Sequence, residues 1–210
     1  MLGISDTSTT RLDPAHARPW AEEANATAVI MLSEKLGDLN IAQLLRWMAD
    51  RAGIHALGRV PVYMMAPRDL TTRIFAERGS AFRGRLAAMT HVMADVDLLL
   101  EAEDKLMYPF KTEMDLLRLR PKLEPLLPPT CSFLEYEYVV RTLFVKNRAR
   151  LSTAIKLLDP TESSLLDLIP TNLHNRKLWN LEVEELVDIA AAFSRWPLKN
   201  EFHSDSLSRF

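Results

Sequence analysis

Apolar residues recur at three- and four-residue spacing along most of the chain, and alternation of apolar with polar positions is almost absent, so α-helix is the default expectation. The pattern predicts a first helix from about Glu22 to Leu36, stopped at Gly37. A second opens at Asn40, with Gln43 completing a capping box, and buries Ile41, Leu44, Leu45, Met48 and Ala52 ahead of Gly53. A long helix over about Ser80 to Leu106 carries Phe82, Leu86, Met89, Met93, Val96 and Leu100 at heptad spacing. Ser132 and Glu135 form another capping box, opening a helix at Phe133 with a core face of Tyr136, Val140, Leu143, Leu151, Ala154 and Leu158. A break is expected near Asn147 and an end at Asp159, with Pro160 opening a short helix that follows. The last helix starts at Asn180, presents Val183, Leu186, Val187, Ala190 and Phe193 on one side, and ends at Pro197. Arg59 to Pro67 is the one segment with strand character, and its prolines favour an extended connector.

These elements predict an all-α chain of about seven or eight helices, arranged as stacked helical hairpins in an α-superhelix or a repeat-like bundle. One helical domain is expected over residues 21–200, with a flexible leader over 1–20 and a flexible tail over 201–210. The openings Leu39 to Leu45, Leu134 to Val140 and Leu181 to Val187 align at offsets of 95 and 47 residues, close to the length of a HEAT- or armadillo-like unit. A hairpin cannot bury its apolar face alone, whereas stacked hairpins bury a continuous one. Any two amphipathic helices also align at this spacing.

The segment Leu186-Val187-Asp188-Ile189-Ala190-Ala191-Ala192-Phe193-Ser194-Arg195-Trp196, and less closely Ile41 to Ala49, resembles the degenerate helical repeats of FAST-kinase-like, RAP-domain and octotricopeptide-like proteins of organellar RNA metabolism. That resemblance implies RNA binding, or scaffolding within mitochondrial or plastid RNA-processing and ribosomal assemblies.

Composition narrows the function classes. The chain has 210 residues, 48% of them hydrophobic and 26% charged, with 26 Lys+Arg against 28 Asp+Glu and a formal net charge of -2. A strongly basic nucleic-acid binder and an acidic tail protein both lose ground. A single cysteine, Cys131, excludes an intramolecular disulfide and metal sites built on several cysteines. No apolar run approaches the length of a membrane span. The opening Ser5 to Arg11 is rich in hydroxyl groups, as in a transit peptide, but Asp6 and Asp13 argue against one.

Candidate chemistry is sparse. His91 and Asp95 are four apart on the predicted long helix and could reach one metal ion, yet no second pair supports them. Asp95, Asp97, Glu101, Glu103 and Asp104 read as a solvated acidic face. Cys131 at a helix start has no identifiable histidine partner, and neither a Gly-x-Ser-x-Gly elbow nor a glycine-rich phosphate loop occurs. Trp47, Trp179 and Trp196 read as packing residues. No cofactor, metal, catalytic residue or small-molecule substrate is indicated.

The basic residues Arg141, Lys146, Arg148, Arg150 and Lys156 have no acidic residue among them and flank the core face of the Phe133 helix, so they are the candidate RNA- or partner-binding residues. Pairing with acidic helices such as Glu182 to Asp188, or with an acidic partner, is the favoured account of them, with RNA second. Sequence alone therefore points to a non-catalytic scaffold or adaptor of a multi-subunit assembly, in RNA processing or the ribosome. Its protein partners are unspecified, and RNA is a candidate ligand. The expected compartment is the mitochondrial or another organellar matrix, with the cytoplasm as alternative. The second reading is a regulatory helical bundle that dimerises through the Phe82–Leu100 heptad helix.

Overall fold

The computed structural model describes residues 17–33, 35–101, 113–159 and 165–199. It contains a four-stranded mixed sheet, which overturns the all-α expectation. In chain order the strands are β1 (Ala28–Met31), β2 (Val62–Pro67), β3 (Ala94–Glu101) and β4 (Met114–Pro121). The helices are α1 (Gly37–Asp50), α2 (Arg68–Ile74), α3 (Arg85–Met93), α4 (Phe133–Leu143), α5 (Leu151–Ala154) and α6 (Val183–Arg195), joined in part by single 3-10 turns. The spatial strand order is β1-β2-β4-β3: β1 and β2 run parallel across α1, and β3 and β4 add an antiparallel ribbon.

The heptad helix does not exist as a unit. Its residues divide between a loop holding exposed Phe82, helix α3 with buried Leu86, Met89 and Met93, and strand β3 with Val96 and Leu100. From Ala94 the segment Ala-Asp-Val-Asp-Leu alternates, and pairing puts Asp95 opposite Arg120 and Asp97 opposite Arg118. Helix α3 packs against the core instead of a second chain, so the dimerisation seam is lost with the helix that carried it. The proposed Glu22 helix is replaced by β1, and Gly37 begins α1 rather than ending a helix. At Gly37 an added Cβ would lie 2.6 Å from Leu70 Cδ2, so glycine lets α1 start close against α2. Arg51, in the left-handed region at φ 50°, terminates α1 in place of the expected Gly53. The second half follows its pattern more closely. Ser132 and Glu135 cap α4 reciprocally, the chain breaks after α4, and every predicted core residue from Tyr136 to Leu158 is buried. The Pro160 helix and the outer parts of the expected leader and tail lie outside the described residues.

One sheet face is covered. Val62, Met64, Leu117 and Leu119 point into a core shared with Ile41, Leu45 and Met48 of α1 and Met89 and Val92 of α3. Helices α4 and α6 extend the same core through Tyr136, Leu143, Leu186 and Phe193. The other face is largely open. Val29, Tyr63, Arg118 and Asp97 form one row across the strands, and Met31, Met65, Leu116 and Leu100 form the next. Val29 is 75% exposed and Met31 63%. Parallel strands are ordinarily covered on both faces, whereas among the described residues this sheet is covered on one.

Candidate nucleic-acid interface

Two segments of the helical lobe are stitched edge to edge. Trp179 N–H donates to Asn147 O at 3.0 Å, Leu178 N–H to Ala149 O at 3.1 Å and Leu151 N–H to Arg176 O at 2.9 Å. Arg150 and Lys177 face each other in an isolated antiparallel bridge. Leu151 and Leu178 turn inward and are fully buried, which fixes the register and leaves Arg148, Arg150 and Lys177 outside. The Arg148 guanidinium lies 5.4 Å and the Lys177 ammonium 5.6 Å from the centre of the half-buried Trp179 ring. Lys146 is exposed beside them in sequence. None of these four cations pairs with a carboxylate among the described residues, although the neighbouring Arg176 is paired with Glu185 and Arg78 with Glu182.

The predicted basic residues therefore separate. Arg148 and Arg150 meet on one surface, with Lys146 leading into it. Arg141 sits half-buried on α4 with its guanidinium 5.9 Å from the Tyr138 ring centre, and Lys156 lies exposed in the turn after α5. The suggested pairing with the acidic helix Glu182 to Asp188 is not made by Arg148 or Arg150; Arg176 and Arg78 supply that pairing. Lys177 and Trp179 complete the cluster beyond the predicted residues, and their adjacency in Lys177-Leu178-Trp179 is the sequence signal for them.

The remaining candidates make local contacts. His91 Nε2–H donates to Ile74 O at 3.0 Å and burial lowers its pKa, while Asp95 on β3 pairs with Lys122 at 2.5 Å. No group of three metal-ligating side chains occurs among the described residues. Asp95 and Asp97 of the acidic run pair across strands rather than lying on a helix face, and Arg118 first, and then Arg120, hold the Asp97 carboxyl below its usual range, while Glu103 and Asp104 lie outside the described residues. Cys131 is buried, and burial pushes its thiol up, away from the thiolate form. A cleft of about 430 Å³ on the open sheet face is lined by Arg59, Tyr63, Asp95, Arg118, Arg120 and Lys122. Ala24 and Pro61 place it at the amino ends of β1 and β2.

A parallel βαβ unit continued by an antiparallel ribbon, with a helical lobe after it, defines an α/β protein of the doubly wound class. The family of ribosomal RNA adenine dimethylases matches residues 32–194, and the chain belongs to that family. It is 25% identical over 198 residues to the mitochondrial dimethyladenosine transferase 1 of Vermamoeba vermiformis, a match covering 91% of this chain and 55% of that protein. It is 35% identical over 133 residues to the ribosomal RNA small subunit methyltransferase A of Chromohalobacter salexigens, covering 61% of this chain and 45% of that protein. A crystal structure of a dimethyladenosine transferase from Plasmodium falciparum shares the fold with a TM-score of 0.59 at 15% identity, covering 77% of this chain and 65% of that one. The chain thus spans about half the length of the relatives it matches in sequence. This assignment corrects the resemblance to helical-repeat proteins, whose shared residues are the core spacing of α1 and α6, and with it the scaffold, bundle-regulator and non-enzyme readings.

The family implies a methyl donor such as S-adenosylmethionine. In doubly wound sheets a nucleotide-bearing ligand sits beyond the carboxyl ends of the parallel strands, where the strand order reverses. Among the described strands the order runs from β1 through β2 without a reversal, and the charged cleft lies at the opposite end. The described residues do not by themselves fit the donor.

Proposed function

We propose that this chain provides the RNA-facing portion of a ribosomal RNA adenine dimethyltransferase. The family match over residues 32–194 supports the reaction class, and the cluster of Arg148, Arg150, Lys177 and Lys146 is the observation that carries the RNA contact. These cations pair with no carboxylate among the described residues and can meet phosphates, which is how proteins register on a nucleic-acid backbone. Arg141 on α4 and Lys156 on the turn after α5 are further RNA contacts in this reading, outside that cluster. In this reading any protein contacts are those of the ribosomal particle that contains the RNA. The mitochondrial relative supports a mitochondrial setting.

The test is binding of small-subunit ribosomal RNA by the full chain, measured across a salt series. Each phosphate neutralised adds roughly 0.7 to 0.9 to the slope of log affinity against log salt. Reversing Arg148 and Arg150 to Glu is expected to weaken binding and to flatten that slope. No measurable binding at low salt would remove the RNA reading.

A further inference from the structure

The loop between α2 and α3 is fastened to the same surface. Gly79 N–H donates to Trp179 O at 2.8 Å, Arg83 Nη2 to Leu181 O at 3.3 Å and Asn147 Nδ2 to Arg83 O at 3.5 Å. Arg78 pairs with Glu182 at 2.6 Å. These contacts hold the loop against both stitched segments, yet Phe82 within it is 58% exposed, although its neighbour Arg83 is buried. An apolar ring kept in solvent by a loop bonded to the Trp179 segment, together with that half-exposed tryptophan and cations that pair with no carboxylate among the described residues, supplies two kinds of contact. Aromatic faces stack bases, and flanking cations take phosphates. A duplex hides the faces of its bases and would use only the cations. An unpaired strand uses both.

We infer that this face binds a single-stranded RNA segment, with Trp179 and Phe82 as stacking platforms and Arg148, Arg150 and Lys177 on the phosphates. The inference rests on the RNA-contact reading above and specifies the form of RNA it takes. Arg148 and Lys177 hold the Trp179 ring in place when RNA is absent. Contacts between exposed cations and an aromatic ring are weak, so both side chains move to phosphates as a base takes the ring face.

The test uses the full chain and a fluorescent 12-nucleotide RNA without self-complementarity, titrated alone and annealed to its complement, with binding read by anisotropy. The single strand is expected to bind more tightly than the duplex. Trp179→Ala and Phe82→Ala should each weaken single-strand binding by about tenfold and leave duplex binding nearly unchanged. Trp179→Phe should retain most of the affinity while abolishing most of the RNA-induced quenching of tryptophan fluorescence, which keeps the test valid if the alanine variant is unstable. Equal affinity for both RNA forms, or unchanged binding and quenching in the variants, overturns the single-strand inference and leaves RNA contact standing. Absence of binding to either form at low salt overturns both.

Discussion

Arg46 and Glu137, ninety-one positions apart, join the helix between the parallel strands to the first helix of the second lobe: Arg46 Nε and Nη2 donate to the two carboxylate oxygens of Glu137, both at 2.8 Å. Glu137 is buried while Arg46 retains partial access to solvent. A two-pronged guanidinium–carboxylate contact fixes orientation as well as distance, so it sets how α4 lies against α1. Removing Arg46 strands a buried carboxylate. Arg46→Ala is expected to lower unfolding stability by about 2–3 kcal/mol, whereas Arg46→Met combined with Glu137→Leu should recover most of it. Urea denaturation of both variants checks this, and an unaltered midpoint for the single variant would count against it.

His55 supplies a pH-dependent term. Its ring is 1% exposed and meets Trp20 edge-on at 6.2 Å, in a site where burial outweighs a backbone contact with Gly58. Burial lowers its pKa from 6.5 to about 4. The unfolded chain therefore binds the proton more readily, and His55 costs stability as pH falls from near 6.5 toward 4, with no such cost above 6.5. Relative to His55→Leu, the native protein should lose about 2.5 kcal/mol between pH 7.5 and pH 4.5. Calorimetry of the two proteins at both pH values reads this difference; parallel pH curves would show that the ring titrates normally.

Arg83 ties the loop between α2 and α3 to the segment before α6 through carbonyl oxygens. It is 6% exposed and donates to Ala76 O at 3.1 Å and Leu181 O at 3.3 Å, and burial pushes its pKa down. Replacing it with Met keeps much of the volume but leaves two buried carbonyls without these donors, a loss of about 2–3 kcal/mol. Hydrogen exchange should then accelerate first in the segments around Ala76 and residues 178–182. Uniform exchange across both lobes would mean that the contact is not the hinge between them.

The β1 edge predicts a solubility effect. Val29 and Met31 expose apolar side chains on a strand with no partner on its outer side among the described residues, a template for pairing with another chain. Val29→Lys together with Met31→Lys should reduce concentration-dependent light scattering with little change, within about 0.5 kcal/mol, in unfolding stability. Unchanged scattering would indicate that association uses another surface.

The amphipathic faces of α1, α4 and α6 were legible because each buries one stripe of its own residues: Ile41 to Met48, Tyr136 to Leu143 and Val183 to Phe193. The Ser132–Glu135 cap was legible for the same reason, since all its bonds close within four residues. Strand β3 was not. Met93, Val96 and Leu100 fit a heptad as well as a strand, and the choice rests on Met114–Pro121 arriving alongside. Nor was the central position of β2, whose Pro61 precedes its first residue and whose Pro67 is its last, so the ladder loses little to either ring. At the candidate site the charges of Arg148 and Arg150 could be read directly, but Lys177 and Trp179 join them only through backbone bonds to a segment some thirty residues away. Local periodicity determines what a segment can bury within one or two turns. Sheet pairing and the Arg148–Trp179–Lys177 cluster depend on contacts between distant segments, which only the folded chain brings within hydrogen-bonding reach.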